Sequence, residues 1–170
     1  KSIHDIDPFN TLVDLNRAGI PLLEIVSEPE IKNGEEAYSY LSEIRKLVRY
    51  LEISDGNMEE GSLRADLNIS VRKKGTTKFG TKVEVKNMNS FRNVQKAIDF
   101  EIIRQIDSIE GGTPIFQETR TFDAVKNCTI GLRTKEDAHD YRYFPEPDLV
   151  PVIVPSSYVA EVRETMPPLP

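Results

Sequence analysis

The sequence has 170 residues, which is enough for one domain that buries a sizeable core without covalent cross-links. Its one cysteine excludes an internal disulfide, and one cysteine with two histidines excludes a structural zinc site of the usual kind. The net charge of −6 argues against a protein that coats nucleic acid. Because no apolar run approaches the roughly 20 residues of a membrane helix, and neither a signal peptide nor an initiator methionine is present, we expect a cytoplasmic fragment of a longer protein.

Two local patterns organise the first third of the chain. Residues 20–26 form an apolar run with a single carboxylate, Glu24, and predict a short buried strand. The Glu24 side chain then lies either on a polar strand face or in the interior, where it needs a partner. Asn33, with Glu36 three residues later, predicts a capping box, and the apolar spacing after it predicts a helix that ends near residue 51.

A hairpin is the clearest pattern in the sequence. Apolar and polar residues alternate through 63–72 and again through 79–86, and a turn that contains a glycine joins the two segments. The register that aligns the two apolar faces at the turn places Asp66 opposite Glu84 on the polar face. Two carboxylates that face each other across strands repel unless a cation lies between them.

The polar face of this hairpin has two interpretations. A Mg²⁺ ion held by Asp66 and Glu84 would relieve their repulsion, and the flanking basic residues would then suit phosphate oxygens. Alternatively, Lys82 or Lys86 simply neutralises the two acids. The wider segment 61–96 carries nine basic and two acidic residues, a net charge of +7. That charge indicates either an anionic partner or a solvated, lysine-rich hairpin.

The remaining segments complete an α+β pattern. Residues 90–109, ended by a glycine pair, predict a second helix. We expect strands at 115–123 and 128–134 and a short helix at 157–165, and the proline-rich end at 166–170 is typical of a linker. Since helices and strands do not alternate regularly, we expect an α+β fold with a largely antiparallel sheet packed by two main helices. The apolar face of the second helix is predicted to consist of Phe91, Val94, Ile98, Ile102, Ile106 and Ile109.

The segment 140–148 combines two tyrosines, a phenylalanine, Arg142 and three acidic residues between or beside prolines. Its aromatic and guanidinium groups could stack on a base and pair with a phosphate. The same groups could equally pack into the core as a proline-bracketed loop. The sequence has no phosphate-binding loop, serine-nucleophile or Cys/His motif, so covalent nucleophilic catalysis is not expected.

Five stretches of the sequence are informative as a set. They are VDLNRAGIPLLEIVSEP at 13–29, MEEGSLRADLNIS at 58–70, FGTKVEVKNMNSF at 79–91, QETR at 117–120 and DYRYFPEPD at 140–148. Together these stretches resemble the B-subunit family of the glutamyl/aspartyl-tRNA amidotransferases. They occur in the family's order and cover nearly the whole chain, and the related archaeal E subunit is the main alternative.

The resemblance implies an ATP- and Mg²⁺-dependent ligase. Such a subunit phosphorylates the side-chain carboxylate of Glu-tRNA(Gln) or Asp-tRNA(Asn), and ammonia then displaces the phosphate. The partners it implies are the aminoacyl end of the tRNA, an amidase-type A subunit that supplies ammonia and a small C subunit. The implied fold is a curved sheet like that of glutamine synthetase. Residues 1–165 would belong to the catalytic cradle domain and residues 166–170 would begin a linker to a helical domain.

The resemblance also suggests roles for individual residues. It implies metal ligation by four carboxylates, which are Glu24, Glu60, Asp66 and Glu84. It implies catalytic contacts with the transferring phosphate from Arg64, Lys82 and Lys86, and ATP binding by Arg17, Arg120 and Arg142. A different class of function stays open, in which the chain is a non-catalytic tRNA-binding or scaffold module whose basic segment meets RNA phosphates.

Overall fold

The computed structural model describes residues 2–3, 10–16, 18–134 and 150–168. The chain forms two compact units, Lys1–Glu30 and Ile31–Pro170. In the first unit, β1 (Ser2–Ile3) and β2 (Leu12–Val13) pair antiparallel.

The apolar run at 20–26 is not the buried strand that its composition predicts. It does not form a strand, and its large side chains are exposed, with Leu22 82% and Val26 80% accessible. Glu24 is exposed as well, so its carboxylate is not an interior group. Apolar content indicates a tendency to be buried, but a strand also needs a neighbour that accepts its hydrogen bonds. Among the described residues of the first unit, no segment pairs with this run.

The second unit contains three helices and a four-stranded mixed sheet, so the α+β prediction is confirmed. The strand order is β3-β4-β5-β6, with β3 and β4 antiparallel, β4 and β5 parallel, and β5 and β6 antiparallel. The parallel pair arises because a helix connects β4 to β5 as a crossover. The elements in chain order are α1 (Gly34–Tyr50), β3 (Leu67–Ile69), β4 (Val83–Lys86), α2 (Phe91–Glu110), β5 (Glu118–Asp123), β6 (Cys128–Thr134) and α3 (Ser156–Thr165).

Helix α1 begins at the predicted cap. Asn33 Oδ1 accepts a hydrogen bond from the Glu36 amide at 2.8 Å. The Glu36 carboxylate bonds in return, but to the amide of Lys32, at 2.7 Å, and not to that of the cap residue. The capping-box prediction is therefore confirmed, with its return bond displaced by one residue.

Helix α2 runs from Phe91 to Glu110, within one residue of the prediction at each end, and the Gly111-Gly112 pair follows it as predicted. Ser90 caps the helix, which was not predicted: its Oγ accepts a hydrogen bond from the Asn93 amide at 3.2 Å. The buried face of α2 differs from the predicted apolar stripe. Ile106 and Ile109 are exposed, whereas Glu101 and Gln105 are fully buried. The stripe was predicted from apolar side chains alone, but hydrogen bonds allow the two polar residues to occupy the interior.

The core lies on one face of the sheet and includes buried residues of α1 and α2. We call this face of the sheet the helix face; it carries the buried Val83 and Val85 of β4 and Phe122 of β5. The opposite face, which we call the polar face, carries the alternate residues of the same strands, beginning with Asn68 and Glu84. The other buried members of the core cluster are Ala37, Met88, Val94, Ala97 and Ile98.

Along β3 and β4 the hairpin has the predicted faces, but its register differs, and Phe79, predicted on the apolar face, is exposed. Exposure alternates from residue 63 to residue 69, as predicted, although only three residues of β3 and four of β4 form the ladder. Asn68 pairs with Glu84, so Asp66 is not directly opposite Glu84. This is a shift of two positions from the predicted register. Such a shift preserves both faces, and the alternation of apolar residues therefore cannot detect it.

Candidate functional site

The predicted acids and one predicted base meet on the polar face of the sheet. Lys86 Nζ lies 3.2 Å from Glu84 Oε1 and 3.5 Å from Asp66 Oδ2. Burial lowers the pKa of Lys86, but the two adjacent carboxylates outweigh this effect and raise the pKa above its ordinary value. We call these three residues the Asp66–Lys86–Glu84 cluster. Of the two interpretations of the hairpin, this arrangement matches the one in which Lys86 neutralises the acids.

Thr119 on the neighbouring strand holds the other oxygen of Glu84. Its hydroxyl donates to Glu84 Oε2 at 2.9 Å, and the residue is only 3% exposed. The contact follows from the parallel register, in which Glu84 is paired with Thr119. Thr119 was not among the predicted site residues, because nothing in the sequence indicates that β4 and β5 are neighbours. The QETR stretch was the available hint, but it drew attention to Arg120 instead.

Arg120 lies on the helix face, away from this cluster. It pairs with Val85, whereas Glu84 and Lys86 point to the opposite side. Its guanidinium donates to Thr129 Oγ1 and to the Thr129 carbonyl, each at 2.8 Å, and to Glu118 Oε1 at 2.7 Å. The prediction that Arg120 contacts ATP stays a prediction. Its side chain lies on the face of the sheet opposite to the acids of the polar face.

A second charged cluster is buried under α2. Glu101 is 0% exposed and receives hydrogen bonds from Arg104, at 2.5 to 3.1 Å, and from Thr129 Oγ1 at 2.8 Å. Burial raises the pKa of Glu101, but the bonds from Arg104, Gln105 and Thr129 outweigh it and hold the pKa below its ordinary value. Arg120 Nε lies 3.6 Å from Glu101 Oε2. This cluster joins α2 to β5 and β6.

Gln105 connects the same helix to the hairpin. Its Nε2 donates to the Ile69 carbonyl at 3.1 Å and to Glu101 Oε1 at 3.0 Å, and its Oε1 accepts from the Val71 amide at 3.2 Å. The side-chain amide therefore bonds to the backbone at the end of β3 and two residues beyond it, as a neighbouring strand would. The sequence signal that could have found this network is a pair of polar residues four positions apart, Glu101 and Gln105, on the inner side of a helix.

The other predicted site residues are more scattered. Arg64 and Lys82 are exposed and lie just outside β3 and β4. Glu60 is exposed in the turn at 58–61. Glu24 belongs to the first unit. Arg17 and Arg142, with the rest of the 140–148 motif, lie outside the described residues.

The cluster on the polar face can be tested as a metal site by its donors. Within the described ranges, no three His, Cys, Asp or Glu side chains come together as a ready-made metal site. A magnesium ion in a phosphate-transfer site, however, often needs only one or two carboxylates, because water and substrate phosphates complete its shell. Asp66 and Glu84 provide that number of oxygen donors, and the Lys86 ammonium lies within 3.5 Å of an oxygen of each. The residues present therefore fit Mg²⁺.

No described helix is both long enough and apolar enough to cross a membrane.

Comparisons with known proteins give one consistent result. A family model described as the GatB/GatE catalytic domain matches residues 1–160. The chain is 56% identical over 170 residues to a protein of Pelagibacter ubique (strain HTCC1062) and 58% identical to proteins of Alkalilimnicola ehrlichii and Chlorobaculum tepidum. All three are named as the B subunit of an aspartyl/glutamyl-tRNA(Asn/Gln) amidotransferase. The matches cover 100% of this chain and 35% or 36% of the relatives, so the chain spans about a third of their length.

Proposed function

Because the chain belongs to the GatB/GatE catalytic domain family, we propose that it forms the central part of the catalytic region of an amidotransferase B subunit. The whole subunit would act on Glu-tRNA(Gln) or Asp-tRNA(Asn). The observation that carries the proposal is the Asp66–Lys86–Glu84 cluster, because it combines two acids and a base on a sheet face that the core does not use.

The proposed reaction has two steps. In the first, an oxygen of the substrate's side-chain carboxylate attacks the γ-phosphorus of ATP, the bond to the leaving ADP breaks, and an acyl phosphate forms. In the second, ammonia forms a bond to the acyl carbon, the carbon–oxygen bond to phosphate breaks, and the nitrogen loses a proton. Neither step needs a protein nucleophile, which agrees with the absence of such a motif from the sequence.

The proposed roles follow the chemistry of the side chains. Asp66 and Glu84 would hold Mg²⁺, with Glu24 and Glu60 as the further ligands that the resemblance suggests. Mg²⁺, when bound, neutralises phosphate charge. Lys86 would leave the acids and move to a phosphate oxygen, where Arg64 and Lys82 would also contribute positive charge. Arg17, Arg120 and Arg142 would contact ATP.

The proposal also covers architecture and partners. The mixed sheet would be part of a curved sheet like that of glutamine synthetase. Residues 1–165 would lie in the cradle domain, and 166–170 would begin a linker. An amidase-type A subunit would supply ammonia, and a small C subunit would complete the complex. The names of the relatives support the B-subunit assignment.

The test uses the full-length subunit in its complex with the ammonia-supplying subunit. We compare Asp66→Asn and Glu84→Gln with the unchanged protein in two assays, phosphate release from ATP in the presence of aminoacyl-tRNA, and tRNA binding. We expect each substitution to lower the rate of phosphate release by about 10²-fold or more, because each removes charge that balances the transferring phosphate. Binding of tRNA should stay within about twofold of the original, because the substitutions are nearly isosteric.

The matched control is Glu43→Gln, which changes an exposed carboxylate on α1 that pairs with Lys46. This variant should release phosphate at the original rate. Retention of full activity by both Asp66→Asn and Glu84→Gln would refute the assignment of the site. Loss of activity in the control as well would also contradict it, because the effect would then not be specific to the polar face.

A further inference from the structure

The closed end of the hairpin carries charge of a single sign. Between Asp66 and Glu84 the sequence has five basic residues and no acidic one. All five are exposed, and they are Arg72, Lys73, Lys74, Lys78 and Lys82. We call residues 72–79 the hairpin tip.

The charges of the hairpin tip are not balanced locally. In the part of the chain that the structure describes, several basic residues elsewhere pair with carboxylates, as Lys46 does with Glu43 and Lys126 with Asp123. Over the same part of the chain, no carboxylate lies within 4.0 Å of Lys73, Lys74 or Lys78. Three neighbouring ammonium groups that no described carboxylate neutralises repel one another and favour an anionic ligand.

The hairpin tip is nevertheless an ordered turn. Both the amide and the hydroxyl of Thr76 donate to the Lys73 carbonyl, at 3.1 and 2.8 Å. Gly75 between them has a φ of +88°, a conformation that suits glycine. The Arg72 guanidinium donates a hydrogen bond to the Thr77 carbonyl at 2.6 Å and so stabilises the turn. Because the backbone is already arranged, a ligand can be bound with little cost in ordering.

One exposed aromatic ring accompanies the lysines. The guanidinium carbon of Arg72 lies 4.7 Å from the centre of the Phe79 ring, and Phe79 is 55% exposed. Protein–protein interface cores are depleted of lysine, whereas nucleic-acid surfaces combine lysines for phosphates with an aromatic ring for a base. The composition of the hairpin tip therefore favours RNA over an acidic protein.

We propose that the hairpin tip binds the phosphate backbone of RNA through Lys73, Lys74 and Lys78. The inference deepens the proposed function, and it rests on that function for the identity of the RNA as the tRNA substrate. The tip lies at the closed end of the hairpin, whereas Asp66 and Lys86 meet beyond the opposite end of the ladder. The contact therefore contributes to the affinity for RNA and leaves the chemical step unchanged.

The experiment measures tRNA affinity as a function of salt concentration, with the full-length subunit in its complex. The variant Lys73→Ser/Lys74→Ser/Lys78→Ser removes three charges. The slope of log K against log salt should become shallower by about 2 to 3, since each phosphate contact contributes about 0.7 to 0.9. At low salt, affinity should fall by about tenfold or more, while the rate at saturating tRNA stays unchanged.

Two further variants make the result specific. Lys32→Ser/Lys46→Ser/Lys126→Ser removes three exposed charges away from the hairpin and should leave the slope unchanged. Lys73→Arg/Lys74→Arg/Lys78→Arg keeps the charge and should keep the slope, so a change confined to the serine variant follows from the loss of charge at these positions.

Three results would overturn the inference. An unchanged slope in the serine variant would show that these lysines do not contact phosphate. An equal loss in the control variant would show a general effect of net charge. Unchanged RNA affinity with loss of assembly with another subunit would assign the hairpin tip to an acidic protein partner instead. Failure of the proposed function is distinguishable from all three, because it concerns phosphate release in Asp66→Asn and Glu84→Gln and not RNA affinity.

Discussion

The side chains of Glu84 and Arg120 lie on opposite faces of the sheet, although their strands are hydrogen-bonded neighbours. Arg120 is paired with Val85, and Glu84 is paired with Thr119. Since successive side chains alternate across a strand, this register sends one charge to the polar face and the other under α2. Two separate charged clusters therefore lie on opposite faces of the described sheet. Changes to the polar-face cluster should alter function, and changes to the buried cluster should alter stability.

Thr119 provides a test on the polar face. Thr119→Val removes the hydroxyl that bonds to Glu84 Oε2 but keeps the shape of the side chain. If Glu84 ligates Mg²⁺, we expect the Mg²⁺ concentration for half-maximal phosphate release to rise by about 10- to 100-fold, because partners of ligands have effects of that size. The measurement is a Mg²⁺ titration of the full-length complex. Thr119→Ser keeps the hydroxyl and should behave like the original protein, and an equal effect of both substitutions would contradict the prediction.

Glu101 provides the corresponding test of stability. Glu101→Ala leaves Arg104 without its buried carboxylate and leaves Thr129 without its acceptor. We expect the free energy of unfolding to fall by about 3 to 5 kcal/mol, as is typical when one partner of a buried ion pair is removed. Urea unfolding of the chain measures the difference. Glu43→Ala on the surface of α1 is the comparison, and it should cost less than about 1 kcal/mol.

The same carboxylate predicts a dependence of stability on pH. The pKa of Glu101 is lowered in the folded chain by hydrogen bonds that outweigh burial. Its contribution is therefore fully present above the unfolded-state pKa, near 4.5, and is lost as the pH falls through the lowered folded-state pKa. Urea midpoints measured from pH 7 to pH 3 should decrease below about pH 4.5. In Glu101→Ala this decrease should be smaller, and an identical decrease in both proteins would assign the pH dependence to other acids.

Gly80 allows the two segments of the hairpin to approach each other closely at Val71. A Cβ atom at this position would overlap the Val71 carbonyl oxygen, so Gly80→Ala requires the backbone to move. We expect a loss of about 1 to 3 kcal/mol in the free energy of unfolding, the usual cost of overpacking. Gly131→Ala is the matched control, because its Cβ would have its nearest neighbour at 3.4 Å, an ordinary contact. If both variants unfold at the same urea concentration, the close approach is not a constraint in solution.

Features that depend on neighbouring residues could be predicted from the sequence. Local hydrogen bonds and the period of the side chains predict the cap at Asn33, the ends of both main helices and the two faces of the hairpin. Those features need no knowledge of which element packs against which. The family was also visible in the sequence, because its motifs are contiguous stretches.

Features that depend on residues far apart in the sequence became visible in the folded chain and could not be predicted. The hairpin register differs from the predicted one by two positions. The alternation of apolar residues cannot reveal this difference, because a shift of two positions keeps every side chain on the same face. The parallel pairing of β4 with β5 brings Thr119 to Glu84 across 35 positions of sequence. The burial of Glu101 and Gln105 depends on partners in β3 and β6. A polar side chain enters the interior only where another element supplies its hydrogen bonds, and the sequence of one helix does not contain that information.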